Sequence, residues 1–141
     1  MARKIYLTGI KPTGVPHLGN YFGAIKPGIE MAQSGNHEYF YFIADYHSLI
    51  SIHDPKKIRD YTYEVAASWV AMGLDLQKAV LYKQSDIPEI LELTWILSCF
   101  TSKGLMNRAH AYKAAVQKNK EAQREDDDKV TMGLYNYPIL M

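Results

Sequence analysis

Apolar and polar positions along the chain change their period several times, and each change marks an element. Ile5-Tyr6-Leu7-Thr8 is a short β-prone run that ends in Gly9, after which Pro12, Gly14 and Pro16 punctuate a loop. Over 18–33 apolar residues recur at Leu18, Phe22, Ile25, Ile29 and Met31-Ala32, which predicts a helix with a kink or restart at Pro27-Gly28 and a stop at Ser34-Gly35-Asn36. Residues 38–44 form an almost unbroken aromatic and β-branched run, the pattern of a parallel strand covered on both faces. Asp54-Pro55 supplies a helix cap followed by proline at the first helical position, so a helix should run to Met72 with Gly73 as its C-terminal cap. Residues 79–84 give the third strand signal. Pro88 opens an apolar-rich helix through Ile90, Leu91, Leu93, Trp95, Ile96 and Leu97, ending near 101–104, and a more polar helix is predicted over 105–124. Glu125-Asp126-Asp127-Asp128-Lys129 reads as a mobile loop of solvated charge. The last run, Tyr137-Pro138-Ile139-Leu140-Met141, is apolar and carries no stop signal, so it reads as an element cut in its middle.

Strands that alternate with helices of a dozen residues or more imply βαβ units. The predicted fold class is therefore α/β, a Rossmann-like, doubly wound parallel sheet. Ligands of such sheets bind at the carboxyl ends of the strands, beside the switch in strand order. Here those ends are Thr8-Gly9, Asp45-Tyr46-His47 and Gln84-Ser85-Asp86. Composition narrows the partners: 16 Lys+Arg against 15 Asp+Glu exclude a strongly basic nucleic-acid coat, though not a local basic patch. One cysteine, Cys99, forms no internal disulfide, which points to a reducing compartment, most simply the cytoplasm. No apolar run approaches the roughly 20 residues of a membrane span, and the start shows no signal peptide.

The richest stretch for chemistry follows the first strand. Thr8-Gly9-Ile10-Lys11-Pro12-Thr13-Gly14-Val15-Pro16-His17-Leu18-Gly19-Asn20 combines glycines that admit a close ligand with a helix start whose free amides attract phosphate. His17 and Asn20, three apart in that first turn, can face one ligand. No Gly-x-x-x-x-Gly-Lys-[Ser/Thr] or Gly-x-Gly-x-x-Gly fingerprint is present, which argues against kinase-like and dehydrogenase readings. No set of metal-ligating residues stands out.

Pro12-Thr13-Gly14-x-x-His17-Leu18-Gly19-Asn20-Tyr21-x-Gly23-Ala24 resembles the His-x-Gly-His signature of class I aminoacyl-tRNA synthetases, in the form found in the tryptophanyl-tRNA synthetase family. Asp45-x-His47, Gln84-Ser85 and Tyr137-Pro138-x-Leu140-Met141 follow in the family's order. The resemblance implies ATP-dependent activation of tryptophan and its transfer to tRNA(Trp), with Mg²⁺ on the ATP, in a homodimeric protein. It implies catalytic roles for Thr13, His17 and Asn20. Gly9, Lys11, Thr13, His17, Gly19, Asn20 and Lys113 would bind ATP, and Leu7, Gly9, His47, Tyr137 and Met141 would surround tryptophan. Lys11 stands where bacterial relatives commonly carry Gln. Arg108 and Lys113 align with the family's phosphate-binding stretch, but its next lysine is Ala115 here, with Lys118 or Lys120 as substitutes.

The family's catalytic domain is well over twice this length. The resemblance therefore implies that residues 1–141 are the N-terminal part of a nucleotide-binding catalytic domain. An Ala-Ala-Asp segment, a Lys-Met-Ser-Lys-Ser-type loop and an anticodon-binding domain are absent, so this portion alone is expected to be inactive. Three alternatives remain: a tyrosyl-tRNA synthetase, a small His-x-Gly-His nucleotidyltransferase, and a non-catalytic dimerisation module built on the helices from Pro88 to about Met106. From the residues alone, His17 could equally serve as a helix cap and His47 as a backbone-satisfied buried histidine. Trp69, Trp95, Met72 and Met106 read as core or interface, and Cys99 as a small buried hydrophobe.

Overall fold

In a computed structural model, which describes residues 2–140, the chain divides into two units, Met1–Ile87 and Pro88–Met141. The first unit is built on three strands, β1 (Ile5–Ile10), β2 (Glu38–Ile43) and β3 (Val80–Lys83), parallel and in the order β1-β2-β3. Gly9 pairs with Phe42 and Phe42 with Tyr82, so the strands are aligned with their carboxyl ends together. The fold is α/β, and its sheet is one part of a Rossmann-like arrangement. No reversal of strand order occurs within the described residues.

Helices cover one face of this sheet. Tyr39, Tyr41 and Ile43 point into a core completed by Ile25, Ile29 and Ala32 before β2 and by Val65 and Trp69 after it. On the other face Ile5 and Leu7 are 69% and 62% exposed. β2 therefore alternates between half-buried and buried residues instead of being covered on both sides. Both of its faces are apolar, which is why the sequence alone reads as a doubly covered strand.

The first predicted helix is interrupted by a π-helical segment, and a new helix starts at Lys26, at the restart expected around Pro27-Gly28. A short α1 (Leu18–Asn20) passes into a π-helical segment, Tyr21–Ile25, before α2 (Lys26–Ser34). Lys26 N–H reaches back to the Tyr21 carbonyl, the wider i→i−5 bond that marks such a bulge. Pro27 lies in the first turn of α2, where its missing N–H is harmless. Gly28 serves packing: a Cβ there would stand 2.8 Å from Trp69 Cη2. Trp69, 1% exposed, stacks on Tyr41 at 4.8 Å between ring centres, and Tyr41 Oη donates to the Gly28 carbonyl at 2.7 Å.

Beyond β2 lie α3 (Asp45–Ser48) and α4 (Pro55–Ala71). As the sequence predicts, Asp54 caps α4 by accepting from the amides of Lys56 and Lys57. Gly73 ends it at φ +102°, with its own amide and that of Leu74 bonded to Val70 and Trp69 carbonyls.

The second unit carries α5 (Glu89–Phe100), α6 (Lys103–Met106), α7 (His110–Glu121) and α8 (Met132–Asn136). The single helix expected over 105–124 is thus split, and Ser102 caps α6 through the Leu105 amide. Asn107, at the split, accepts from Tyr135 Oη at 2.9 Å, a bond between distant residues that helical periodicity cannot reveal. The acidic run is tied down: Asn119 Nδ2 donates to the carbonyls of Asp126 and Asp128, and Tyr112 Oη donates to Asp127 at 2.7 Å. Buried Asn119 is the element that a pure charge count overlooks.

No residue of α5 is buried; Trp95 is 72% and Phe100 86% exposed, and Cys99 is exposed rather than packed inside. Met72 is also exposed, whereas Trp69 and Met106 are core. Among the described residues no helix is long and apolar enough to cross a membrane.

Candidate functional site

Three strand ends of the first unit carry the candidate residues. After β1, Thr13 N–H bonds the Lys11 carbonyl at 3.0 Å, closing a tight turn around Pro12, which is fully buried. The side chains of Lys11 and Thr13 are left exposed on that turn.

The chain then enters α1 through a reciprocal cap. His17 Nδ1 accepts from the Gly19 amide at 3.0 Å, while Asn20 Oδ1 accepts from the His17 amide at 3.0 Å. An imidazole that accepts at Nδ1 carries, when neutral, its proton on Nε2. The exposed ring therefore turns a donor away from the helix start, and the cap and ligand roles of His17 are compatible. Gly19 is required by this geometry, since a Cβ there would lie 2.8 Å from His17 Cε1 and 3.0 Å from Nδ1.

Gly9 shows a second close approach. A Cβ there would fall 2.6 Å from the Phe42 ring, so the ring lies over the glycine. Leu7, two residues earlier on the same face, is exposed.

At the end of β2, α3 joins all three strand ends. Asp45 Oδ1 accepts from the Ser85 amide at 3.0 Å and its Oδ2 from Ser85 Oγ. His47, 3% exposed, has Nδ1 3.0 Å from Gln84 Oε1, and Gln84 is 1% exposed. Ser48 Oγ donates to the Pro12 carbonyl at 3.2 Å, anchoring the loop after β1. Sequence reasoning finds Asp45, His47, Gln84 and Ser85 as motif members but gives a site role to His47 alone. It misses Ser48, whose only signal is a small hydroxyl one position past the motif.

A cavity of about 640 Å³ also opens beside these ends, between β3 and α4, lined by Tyr46, Arg59, Tyr63, Tyr82, Lys83 and Asp86 among others. None of the loop residues lines it. Burial pushes the Tyr82 phenol up, and Asp86 is held below the ordinary carboxylate range by the Lys83 amide and then its ammonium group, 3.0 Å away.

The remaining predicted residues belong to the second unit. Lys113 and Lys118 are exposed on α7, and Lys120 pairs with Asp126 at 3.6 Å. Tyr137 is half-buried at the end of α8, and Met141 lies outside the described residues.

Comparison with known proteins agrees with these features. The chain is 58% identical, over its whole length, to the tryptophan–tRNA ligase of Neisseria meningitidis and spans 42% of that protein. It is 59% identical, over 96% of its length, to the tryptophan–tRNA ligase of Pseudomonas aeruginosa, of which it spans 30%. Among solved structures, the tryptophanyl-tRNA synthetase of Campylobacter jejuni complexed with ADP and tryptophan matches with a TM-score of 0.79 at 41% identity, covering 98% of this chain and 40% of that one. The chain thus spans less than half the length of these relatives. Residues 2–141 match the family described as tRNA synthetases class I (W and Y), and the chain belongs to that family.

Proposed function

We propose that the chain is the N-terminal part of the catalytic domain of a tryptophan–tRNA ligase, with the Lys-Met-Ser-Lys-Ser-type loop and the anticodon-binding domain in a further part. The longer protein activates tryptophan with MgATP and passes it to tRNA(Trp). The observation that carries this reading is the reciprocal His17–Asn20 cap, which leaves an exposed Nε2–H donor facing outward from the helix start after β1. The tryptophan carboxylate attacks the α-phosphorus, forming a new P–O bond as the bond to pyrophosphate breaks, so no protein nucleophile is needed. What the protein supplies is position and charge stabilisation.

In this reading Thr13, His17 and Asn20 are catalytic, stabilising charge on the five-coordinate phosphorus. Gly9, Lys11, Thr13 and Gly19 contact ATP, and Leu7, Gly9 and His47 contact tryptophan; Lys113, Tyr137 and Met141 carry the ATP and tryptophan roles that the family resemblance implies. Among the described residues no three His, Cys, Asp or Glu side chains converge, so Mg²⁺ would arrive as part of the nucleotide, held by its phosphates and water. The Campylobacter jejuni relative, solved in complex with ADP and tryptophan, supports the choice of ligands. Because the chain spans at most 42% of the relatives compared, it carries little ligase activity alone. The lone exposed Cys99 suits a reducing, cytoplasmic setting.

A thermal-shift measurement on the longer protein checks the amino acid. Tryptophan at about 100 times its Kd adds about 2.7 kcal/mol to stability, and tyrosine at the same concentration adds little. Stabilisation by tyrosine but not tryptophan reverses the choice in favour of the tyrosine branch. The exposed apolar surface of α5 further supports a homodimer. Light scattering is expected to give twice the chain mass at micromolar concentration, and a monomer at high concentration contradicts it.

A further inference from the structure

His47 and Gln84 come from the ends of different strands, 37 residues apart in sequence, and meet in the interior. An amide oxygen has no hydrogen to give, so the 3.0 Å contact from His47 Nδ1 to Gln84 Oε1 is a hydrogen bond only when the imidazole carries its proton on Nδ1. That is the opposite tautomer to His17, whose Nδ1 accepts. Gln84 is itself firmly placed. It begins the 3₁₀ turn Gln84–Asp86, in which Ser85 is bound to Asp45 through both its amide and its hydroxyl. Asp45 and His47 share α3, so two links join the end of β2 to the end of β3. An apolar pair would fill this space without the desolvation that buried polar groups suffer. The polar pair adds what an apolar pair would not, a fixed direction for the ring.

We infer that Gln84 is a positioning residue for the amino-acid site: it acts through His47, setting the plane of the ring and fixing its proton on Nδ1, without itself touching the substrate. The inference rests on the proposed reading of His47 as part of the tryptophan site. It requires nothing of the other contacts that His47 and Gln84 make.

The test is nitrogen-15 NMR of the imidazole side chains in the longer protein, with calorimetric titration of tryptophan and ATP on the same samples. The wild-type chain is expected to show His47 protonated on Nδ1. Gln84→Leu removes the acceptor at similar size. It should release the tautomer preference and weaken tryptophan binding about tenfold, the loss of one buried hydrogen bond, with ATP binding unchanged. Gln84→Glu keeps an acceptor oxygen and should restore the Nδ1–H form, which a merely space-filling role does not predict. If Gln84→Leu does not fold, the wild-type and Gln84→Glu spectra still decide. A wild-type His47 protonated on Nε2 overturns the inference. So does a folded Gln84→Leu chain with an unchanged tautomer or unchanged tryptophan affinity. A wild-type chain with the Nδ1–H form that binds no tryptophan overturns the substrate role of the pair through failure of the functional reading. A wrong tautomer with tryptophan binding intact leaves that reading standing.

Discussion

Replacing His17 with alanine in the longer protein lowers tryptophan-dependent ATP–pyrophosphate exchange about 10²–10³-fold, the usual cost of losing one preorganised donor to transition-state charge. The size of the effect follows from the cap. With Nδ1 accepting from Gly19, the neutral ring has its single proton on Nε2, and that donor is aimed before any ligand arrives. Alanine removes donor and cap together. The stability loss stays near 1 kcal/mol, because His17 is exposed and an N-cap is worth about that much. Steady-state exchange kinetics beside thermal unfolding separate the two. Exchange within threefold of wild type refutes the role given to His17, and a large fall in melting temperature assigns the loss to unfolding instead.

The second large effect falls on stability. Trp69→Ala removes the central ring of the first unit's core, stacked on Tyr41 and lying against Gly28. Aromatic-to-alanine truncations at such sites cost about 3–5 kcal/mol, a large share of the roughly 5–15 kcal/mol that holds a domain together. Urea denaturation is expected to lose its cooperative transition or to give an unfolding free energy lower by that amount. Trp69→Phe keeps an aromatic surface on Tyr41 and should cost markedly less. A loss below 1 kcal/mol for the alanine variant contradicts the placement of Trp69 at the core.

Much of the first unit is legible from pattern alone. The runs at 5–8, 38–44 and 79–84 mark the three strands, Asp54-Pro55 starts α4 and Gly73 ends it, because caps and turns are local chemistry. The π segment at Tyr21–Ile25 is not legible, since its apolar spacing differs little from that of an α-helix. Nor are the links made by Asp45, Gln84 and Ser48, which join residues 36 to 40 positions apart.

In the second unit the sequence misleads in two directions. The Asp126–Asp128 run looks like free charge because its partners, Asn119 and Tyr112, lie a helix away. Cys99 looks like core because cysteine is commonly buried, yet it lies exposed on a helix with no buried residue. For the site, the turn after β1 and the helix start at His17 are legible in the sequence, because glycine, proline and cap residues are local signals. The direction of the His17 donor is not, because it depends on which nitrogen the Gly19 amide meets.

The claim that the strand ends around His17 and His47 belong to a tryptophan-activating site is tested most directly by ATP–pyrophosphate exchange in the longer protein, with each amino acid supplied in turn. The account predicts exchange that requires tryptophan, is weak with tyrosine and falls about 10²–10³-fold in His17→Ala. Exchange that proceeds equally well with tyrosine, or that survives the loss of His17, would contradict it.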